Sequence, residues 1–295
     1  MDQGRMKKLI IEVRVNEYAM RDGNVHVPWT ADELGRDAVA IRQAGAAVIH
    51  FHARQDDGAP SFESADYVAA ARAIRNGTDL IMSPTLGQIN VGGDQERIKH
   101  IVELAQHPSL KPELVAIDTG SANIDRYDVA AKKFMSADKV YENSHETLML
   151  FCEEFARLGV RPVISAWNGP FLRSGAALMD MGLIPEPAYA LLVHCEGGLL
   201  GGHPATTAGL EAFLSHLPAD RQIEWTVCCK HGNLFPVAMQ AIISGGHVSI
   251  GLGDYDYPEL QQPKNAALVT EVARLARLIG REVATPDEAR AILNL

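Results

Sequence analysis

The sequence predicts one (β/α)₈ (TIM) barrel over residues 1–295, and three observations predict it. Apolar, β-branched runs alternate with longer helical stretches through to the end of the chain. There are eight such runs, the number that closes a barrel, and strands separated by helices are parallel strands. The first run leads into VNEYAMRDGNVHVPW rather than the glycine-rich turn of a doubly wound open sheet, and no Pro-, Gly- or Ser-rich linker splits the chain.

In order, the strand-like runs are LIIEVRVN (9–16), AAVIHFHA (46–53), DLIMSPT (79–85) and ELVAIDTG (113–120), then RPVISAW (161–167), YALLVHCE (189–196), IEWTVCC (223–229) and HVSIGLG (247–253). Start signals mark several of the helices between them. Thr30 and Glu33 form a capping box before ADELGRDAVAIRQAG, whose Val39, Ile41 and Ala44 fall on the buried side. Asn143 with Glu146 makes the same pattern before LMLFCEEFARLG, and Thr285, Pro286 and Glu288 supply N-cap, N1 and N3 of the last helix.

Composition bounds the function. Hydrophobic residues make up 47% and charged residues 22%, as in ordinary soluble domains. A formal net charge of -10 argues against nucleic acid or anionic membrane as partner, so an anionic substrate needs local cations or a metal to hold it. Cys152, Cys195, Cys228 and Cys229 lack ligand-pair spacing, and the adjacent pair suits neither a zinc knuckle nor an ordinary disulfide. With no leader-like or membrane-spanning run in the sequence, a reducing cytoplasm is the expectation.

In a barrel, chemistry collects at the C-terminal ends of the strands. The second strand ends in His50-Phe51-His52-Ala53-Arg54, and alternation puts both imidazoles on one face. Two imidazoles there form a natural pair of metal ligands, zinc above all; a single histidine is more often a hydrogen-bonded core residue. Glu17 at the end of strand one suits a ligand, a base or a partner for a cationic substrate group, or else a solvated loop acid. Ser83-Pro84-Thr85, with Gly87 beyond, and Asp118-Thr119-Gly120-Ser121 suit hydrogen bonds to carboxylate or phosphate, though such groups also build plain turns. Asp254 ends strand eight, where a base could stand. His194 and His231 are weaker candidates. No phosphate-cradling glycine motif points to coenzyme A contacts.

The chain resembles the beta-keto acid cleavage enzyme family. The resemblance is carried by AGAAVIHFHAR followed by DDGAPSF, by DTGSANI, ENSHETLMLFCEEFARLGVRP and GGHVSIGLGD, and by the C-terminal NAALVTEVARLARLIGREVATPDEARAILNL. It implies a zinc-dependent barrel, usually a homotetramer, that converts a β-keto acid and acetyl-CoA into acetoacetate and a new acyl-CoA. It further implies His50 and His52 as metal ligands, Asp254 as the aspartate that deprotonates the substrate, and Glu17, Ser83 and Thr119 as substrate contacts. Three departures stand out. Where the family pattern ends strand eight in Arg-Val-Gly-Leu-Glu-Asp, this chain has Ser249-Ile250-Gly251-Leu252-Gly253-Asp254. The glutamate expected as third zinc ligand is thus Gly253, and the arginine expected to pair with the aspartate is Ser249. On strand five, Pro162-Val163-Ile164-Ser165 stands for an acidic Pro-Glu-Leu-Glu pattern.

Two other readings compete. An amidohydrolase-type metal hydrolase is also a barrel, but it carries His-x-His on strand one, a lysine on strand four and a histidine on strand five; here those two strands offer Asp118 and Trp167. A silent barrel that only binds a ligand would suit the lost glutamate and arginine. If the site is active, a third ligand must reach the metal. His231, beside strand eight, ranks first, then Glu17, then Asp254, with water as the remaining choice. Glu17 would also point to a cationic nitrogen on the substrate, since a buried carboxylate wants a partner.

Overall fold

The computed structural model describes residues 6–86 and 93–295. Eight parallel strands form the barrel: β1 (Ile11–Arg14), β2 (Val48–Phe51), β3 (Ile81–Pro84), β4 (Leu114–Asp118), β5 (Arg161–Ala166), β6 (Ala188–Cys195), β7 (Ile223–Lys230) and β8 (His247–Ile250). Each lies within one of the eight predicted runs or extends it by a residue. Their order around the barrel is β3-β2-β1-β8-β7-β6-β5-β4. At the seam between β3 and β4, the Glu113 amide donates to the Met82 carbonyl (3.2 Å). Strands β1, β2, β3 and β8 are buried at every position, one face toward the barrel axis and the other under helices.

Nine helices cover the strands among the described residues: α1 (Ala31–Ala44), α2 (Ser64–Gly77), α3 (Asp94–Ala105), α4 (His145–Leu158), α5 (Gly169–Asp180), α6 (Thr207–Leu214), α7 (Phe235–Ile243), α8 (Asn265–Leu278) and α9 (Pro286–Leu293). The capping boxes at Thr30 and Thr285 form as predicted. In α1, Leu34, Ala38 and Ile41 are the fully buried stripe, with Val39 and Ala44 only partly covered. The cap of α4 is Ser144, one residue beyond the predicted Asn143; its hydroxyl accepts from the Thr147 amide. Asn143 is engaged elsewhere, accepting from Arg97 (2.7 Å) and donating to the Gly120 carbonyl (3.1 Å). None of the described helices is long and apolar enough to cross a membrane. All four cysteines are buried and free.

Between β4 and α4 the chain forms two short antiparallel pairs that the sequence did not predict. Ala122–Asn123 pairs with Val140–Tyr141, and Tyr127–Asp128 with Lys133–Phe134. This segment brings Ile124, Arg126 and Tyr141 to the mouth of the barrel.

Arg281 holds the opposite end of the barrel. It is 1% exposed and donates to the carbonyls of Lys7 (2.8 Å), Ile242 (2.8 Å), Gly246 (2.6 Å) and Gly245 (3.3 Å). Burial lowers its pKa to about 10, which leaves it cationic at neutral pH. Arg281→Met keeps the apolar stem but strands these carbonyls, each costing about 1–3 kcal/mol when left unpaired. With four carbonyls affected we expect a total loss of about 4 kcal/mol or more in urea denaturation, with any bound metal retained.

Candidate functional site

At the C-terminal end of the barrel, β1 and β2 are in register through Arg14 and His50, and β2 and β3 through His50 and Ser83. Beyond β1 the side chain of Asn16 ties the two strand ends together: its Nδ2 donates to the His52 carbonyl (2.9 Å) and its Oδ1 accepts from the His52 amide (3.0 Å). Glu17 then takes a left-handed backbone, φ +38°, which a non-glycine residue adopts only where its surroundings enforce it. Arg54 enforces it here. Its guanidinium donates to the carbonyls of Glu17 (2.7 Å), Ala19 (3.1 Å) and Gly58 (2.8 Å), clamping the turn.

The turn brings the Glu17 carboxylate to the histidine pair. His50 Nε2 lies 3.0 Å from Glu17 Oε1, and His52 Nε2 lies 3.2 Å from Oε2. All three side chains are buried, with one ligand atom from each inside a 4.8 Å cluster. Burial, then Arg14, lowers the His50 pKa to about 4, and burial likewise lowers that of His52, so both imidazoles are neutral at pH 7. Burial opposes charge on Glu17 too, but the Arg14 and Lys230 cations outweigh it and hold the carboxyl well below its usual range. His50 Nδ1 and His52 Nδ1 are buried without a hydrogen-bond partner. Neutral imidazoles beside an ionised carboxylate make a donor set that fits a divalent metal ion.

Next to this cluster stands a charge network. Arg14 bonds Glu17 and its Nε lies 2.9 Å from Asp254 Oδ2. Lys230, the last residue of β7, places its Nζ 3.2 Å from Asp254 Oδ1 and 3.4 Å from Glu17 Oε2. Burial works against the charge of both cations, and the two acids more than restore it. Asp254 thus has two cationic partners despite Ser249. The arginine expected on β8 is replaced in space by one on β1, seconded by a lysine on β7.

The third member of the cluster is Glu17, which corrects the ranking that put His231 first. His231 sits one residue past β7 with φ +62°, and its Cβ packs toward Gly197 at the cavity mouth; the residue reaching inward is Lys230. Gly253 makes room for Glu17. A Cβ at position 253 would lie 2.6 Å from Glu17 Cγ, 2.8 Å from its amide nitrogen and 2.9 Å from the Arg14 carbonyl. We therefore expect Gly253→Ala to push the Glu17 turn aside. It should lower stability by about 1–3 kcal/mol, the usual cost of overpacking, and weaken metal binding more than Ala at the open Gly182; parallel melting and metal titrations would check this.

These groups line a cavity of about 670 Å³, which also takes in Thr85, Asp118, Ser165 and Trp167. Thr119 is a correction. It is fully buried and its hydroxyl donates to the Phe171 carbonyl (2.8 Å) on the helical side, while its neighbour Asp118 faces the cavity. Ser83 is buried beside His50, and the lining residues on that side are Thr85 and Leu86. Gly87 lies outside the described residues. His194 is a core residue: Nδ1 contacts the Pro204 carbonyl (2.9 Å) and the ring meets Phe213 edge-on. Glu17 is already partnered by two cations, so it no longer argues for a cationic substrate. Sequence reasoning missed Arg14, Asn16, Arg54 and Lys230. The signal was Glu12, Arg14 and Asn16 alternating within an apolar strand, three polar residues sent to the barrel interior.

The sequence profile described as beta-keto acid cleavage enzyme matches residues 8–295. The chain is 32% identical over 294 residues to the 3-keto-5-aminohexanoate cleavage enzyme of Acetoanaerobium sticklandii, covering 98% of this chain and 99% of that protein. It is 26% identical to the 3-dehydrocarnitine:acetyl-CoA trimethylamine transferase of Rhizobium meliloti, covering 92% and 90%. Among solved structures it is similar to a complex of ObcA with oxaloacetate, with TM-score 0.70 and 14% identity over 92% of this chain and 67% of that one. A truncated 3-deoxy-D-arabino-heptulosonate 7-phosphate synthase from Thermotoga maritima gives TM-score 0.53 at 11% identity, covering 96% and 94%. These last two likenesses concern the fold.

Proposed function

Because the chain belongs to the beta-keto acid cleavage enzyme family, we propose that it converts a β-keto acid and acetyl-CoA into acetoacetate and a new acyl-CoA, with Asp254 as its base. The observation that carries this reading is the placement of Asp254 between Arg14 and Lys230, beside the Glu17, His50 and His52 cluster in one cavity. Relatives named as acetyl-CoA-dependent transferases support it.

Glu17, His50 and His52 would hold a divalent ion, zinc by the nature of the donors, which acts when bound as a Lewis acid for the substrate's keto and carboxylate oxygens. Asp254 takes a proton from the carbon between the two carbonyl groups of the substrate. That carbon attacks the acetyl thioester carbonyl and expels the CoA thiolate. The thiolate adds to the original keto carbon, the bond between that carbon and the deprotonated one breaks, and acyl-CoA forms. Asp254 returns its proton to the departing carbon, which leaves as acetoacetate. Arg14 and Lys230 orient the carboxylate and offset negative charge as it develops nearby. Tyr141 and Ile124, from the segment over the mouth, limit the access of water to the reacting carbon.

The same reading extends to a cytoplasmic homotetramer in which each chain acts as one domain; light scattering of the purified protein tests the assembly. The reaction is tested by metal analysis together with mass detection of acetoacetate and the new thioester across a panel of β-keto acids. Product from at least one keto acid, dependent on acetyl-CoA, is expected. Full metal occupancy with no turnover on any of them would overturn the assignment in favour of a silent binding barrel.

A further inference from the structure

Beneath the charge network, the barrel interior holds an acid that the proposed reaction does not use. Alternation along β1 puts Glu12 on the same inward face as Arg14, one layer deeper, and it is 4% exposed. Its register partners are Ser249 on β8 and Val48 on β2. Tyr189, buried on β6 beside Thr226 of β7, faces it from across the interior. The cations above are already matched. Arg14 pairs with Glu17 and Asp254, and Lys230 pairs with the same two acids, so two positive charges meet two negative ones. Below, His247 meets Glu224, which also holds Lys7. Among the described residues no ion pair involves Glu12.

A buried carboxyl beside a balanced set of charges is more stable as the neutral acid than a solvated one would be. Burial, reinforced by the charges of Glu17 and Asp254, raises the Glu12 pKa to about 7, against the opposing pull of Arg14 and Ser249. A divalent ion held by Glu17, His50 and His52 changes that balance. The set above Glu12 goes from neutral to a surplus of two positive charges, and across a low-dielectric interior that surplus favours the carboxylate. We propose that Glu12 is the proton-linked counter-charge of this metal centre: it keeps its proton while the centre holds no ion and gives it up to bulk water when a divalent ion binds. The three donors cannot supply that proton near neutral pH, because both imidazoles are already neutral and Glu17 is already ionised. Among the described residues no hydrogen bond or ion pair joins Glu12 to any of them, so the coupling is electrostatic and acts across Arg14. Affinity for the ion therefore rises with pH up to about 7, where Glu12 of the ion-free protein is itself ionised, and levels off above it. The inference rests on Glu17, His50 and His52 as the metal donors and not on the reaction carried out over them.

Calorimetric titration of the chelator-stripped full chain with zinc chloride at about pH 6, repeated in buffers of different ionisation enthalpy, counts the protons released per ion. The native protein should release about one, and Glu12→Gln, which keeps the shape of the side chain and cannot ionise, should release about none. Between about pH 5.5 and 6.5 the native affinity should rise by up to about tenfold per pH unit, while that of the variant stays flat. Infrared difference spectra of the native protein give a check that needs no variant: the carbonyl band of a buried carboxylic acid should disappear as zinc is added. Equal proton release by the native protein and Glu12→Gln would assign the proton to a metal-bound water and overturn the proposal. Zinc uptake by the native protein without proton release would overturn it as well, leaving the donor assignment standing. If the native chain takes up no zinc, the donor assignment falls and this inference falls with it.

Discussion

Asp254→Asn should lower kcat by about 10²–10⁴-fold, the usual contribution of a positioned base, while metal content stays at the native level. Asparagine keeps the shape of the side chain and loses its basicity. Arg14 retains Glu17 as a partner, and so does Lys230, so neither buried cation is left alone. The cleanest measurement is exchange of the acidic C–H of the keto acid with deuterated water in the absence of acetyl-CoA, which reports the proton step alone. Native protein should exchange and the variant should not. Exchange at the native rate in Asp254→Asn would remove this residue from proton transfer and shift attention to Glu12, another buried acid below the network, whose pKa burial raises to about 7.

The second large effect concerns Glu17. Glu17→Gln should weaken metal binding by about 100-fold or more, beyond the 10–100-fold typical of losing a residue that merely supports a ligand. Chelator competition would measure it, with His50→Ala as the reference for a site stripped of a nitrogen donor. Catalysis should fall with metal occupancy and partly recover at high metal concentration. Glu17→Gln also removes an anion shared by Arg14 and Lys230, so melting should drop even in metal-free protein. Unchanged affinity would show that two imidazoles and water suffice, and would return Glu17 to a purely electrostatic role.

The strands were legible in the sequence because parallel strands buried on both faces are written as largely apolar runs; YALLVHCE carries that mark almost throughout, and LIIEVRVN carries it on one face with polar residues at alternate positions on the other. His50 and His52 were legible for a related reason: period-two spacing at a strand end fixes a shared face. The third member of the cluster was not. Glu17 reaches the imidazoles only through a left-handed turn held by Arg54, a contact made between residues 37 apart in sequence. Lys230 and His231 are adjacent and both line the cavity, and only the point where β7 ends decides which one reaches Glu17 and Asp254. Thr119 and Asp118 pose the same problem one strand set away. The segment from 122 to 141 escaped because its paired stretches are two residues long, too short to show any period.

The contact between Gly253 and Glu17 ties the two positions to each other. In this structure the Glu17 turn and any side chain at position 253 would share one small volume above the imidazoles. Gly253→Glu alone would crowd the backbone of Arg14 and Glu17, and truncating Glu17 alone would strip the cluster of its only acid. Moving the acid of the cluster from β1 to the end of β8 therefore takes paired changes at positions 17 and 253, because neither change alone leaves both a free volume and a carboxylate beside the imidazoles.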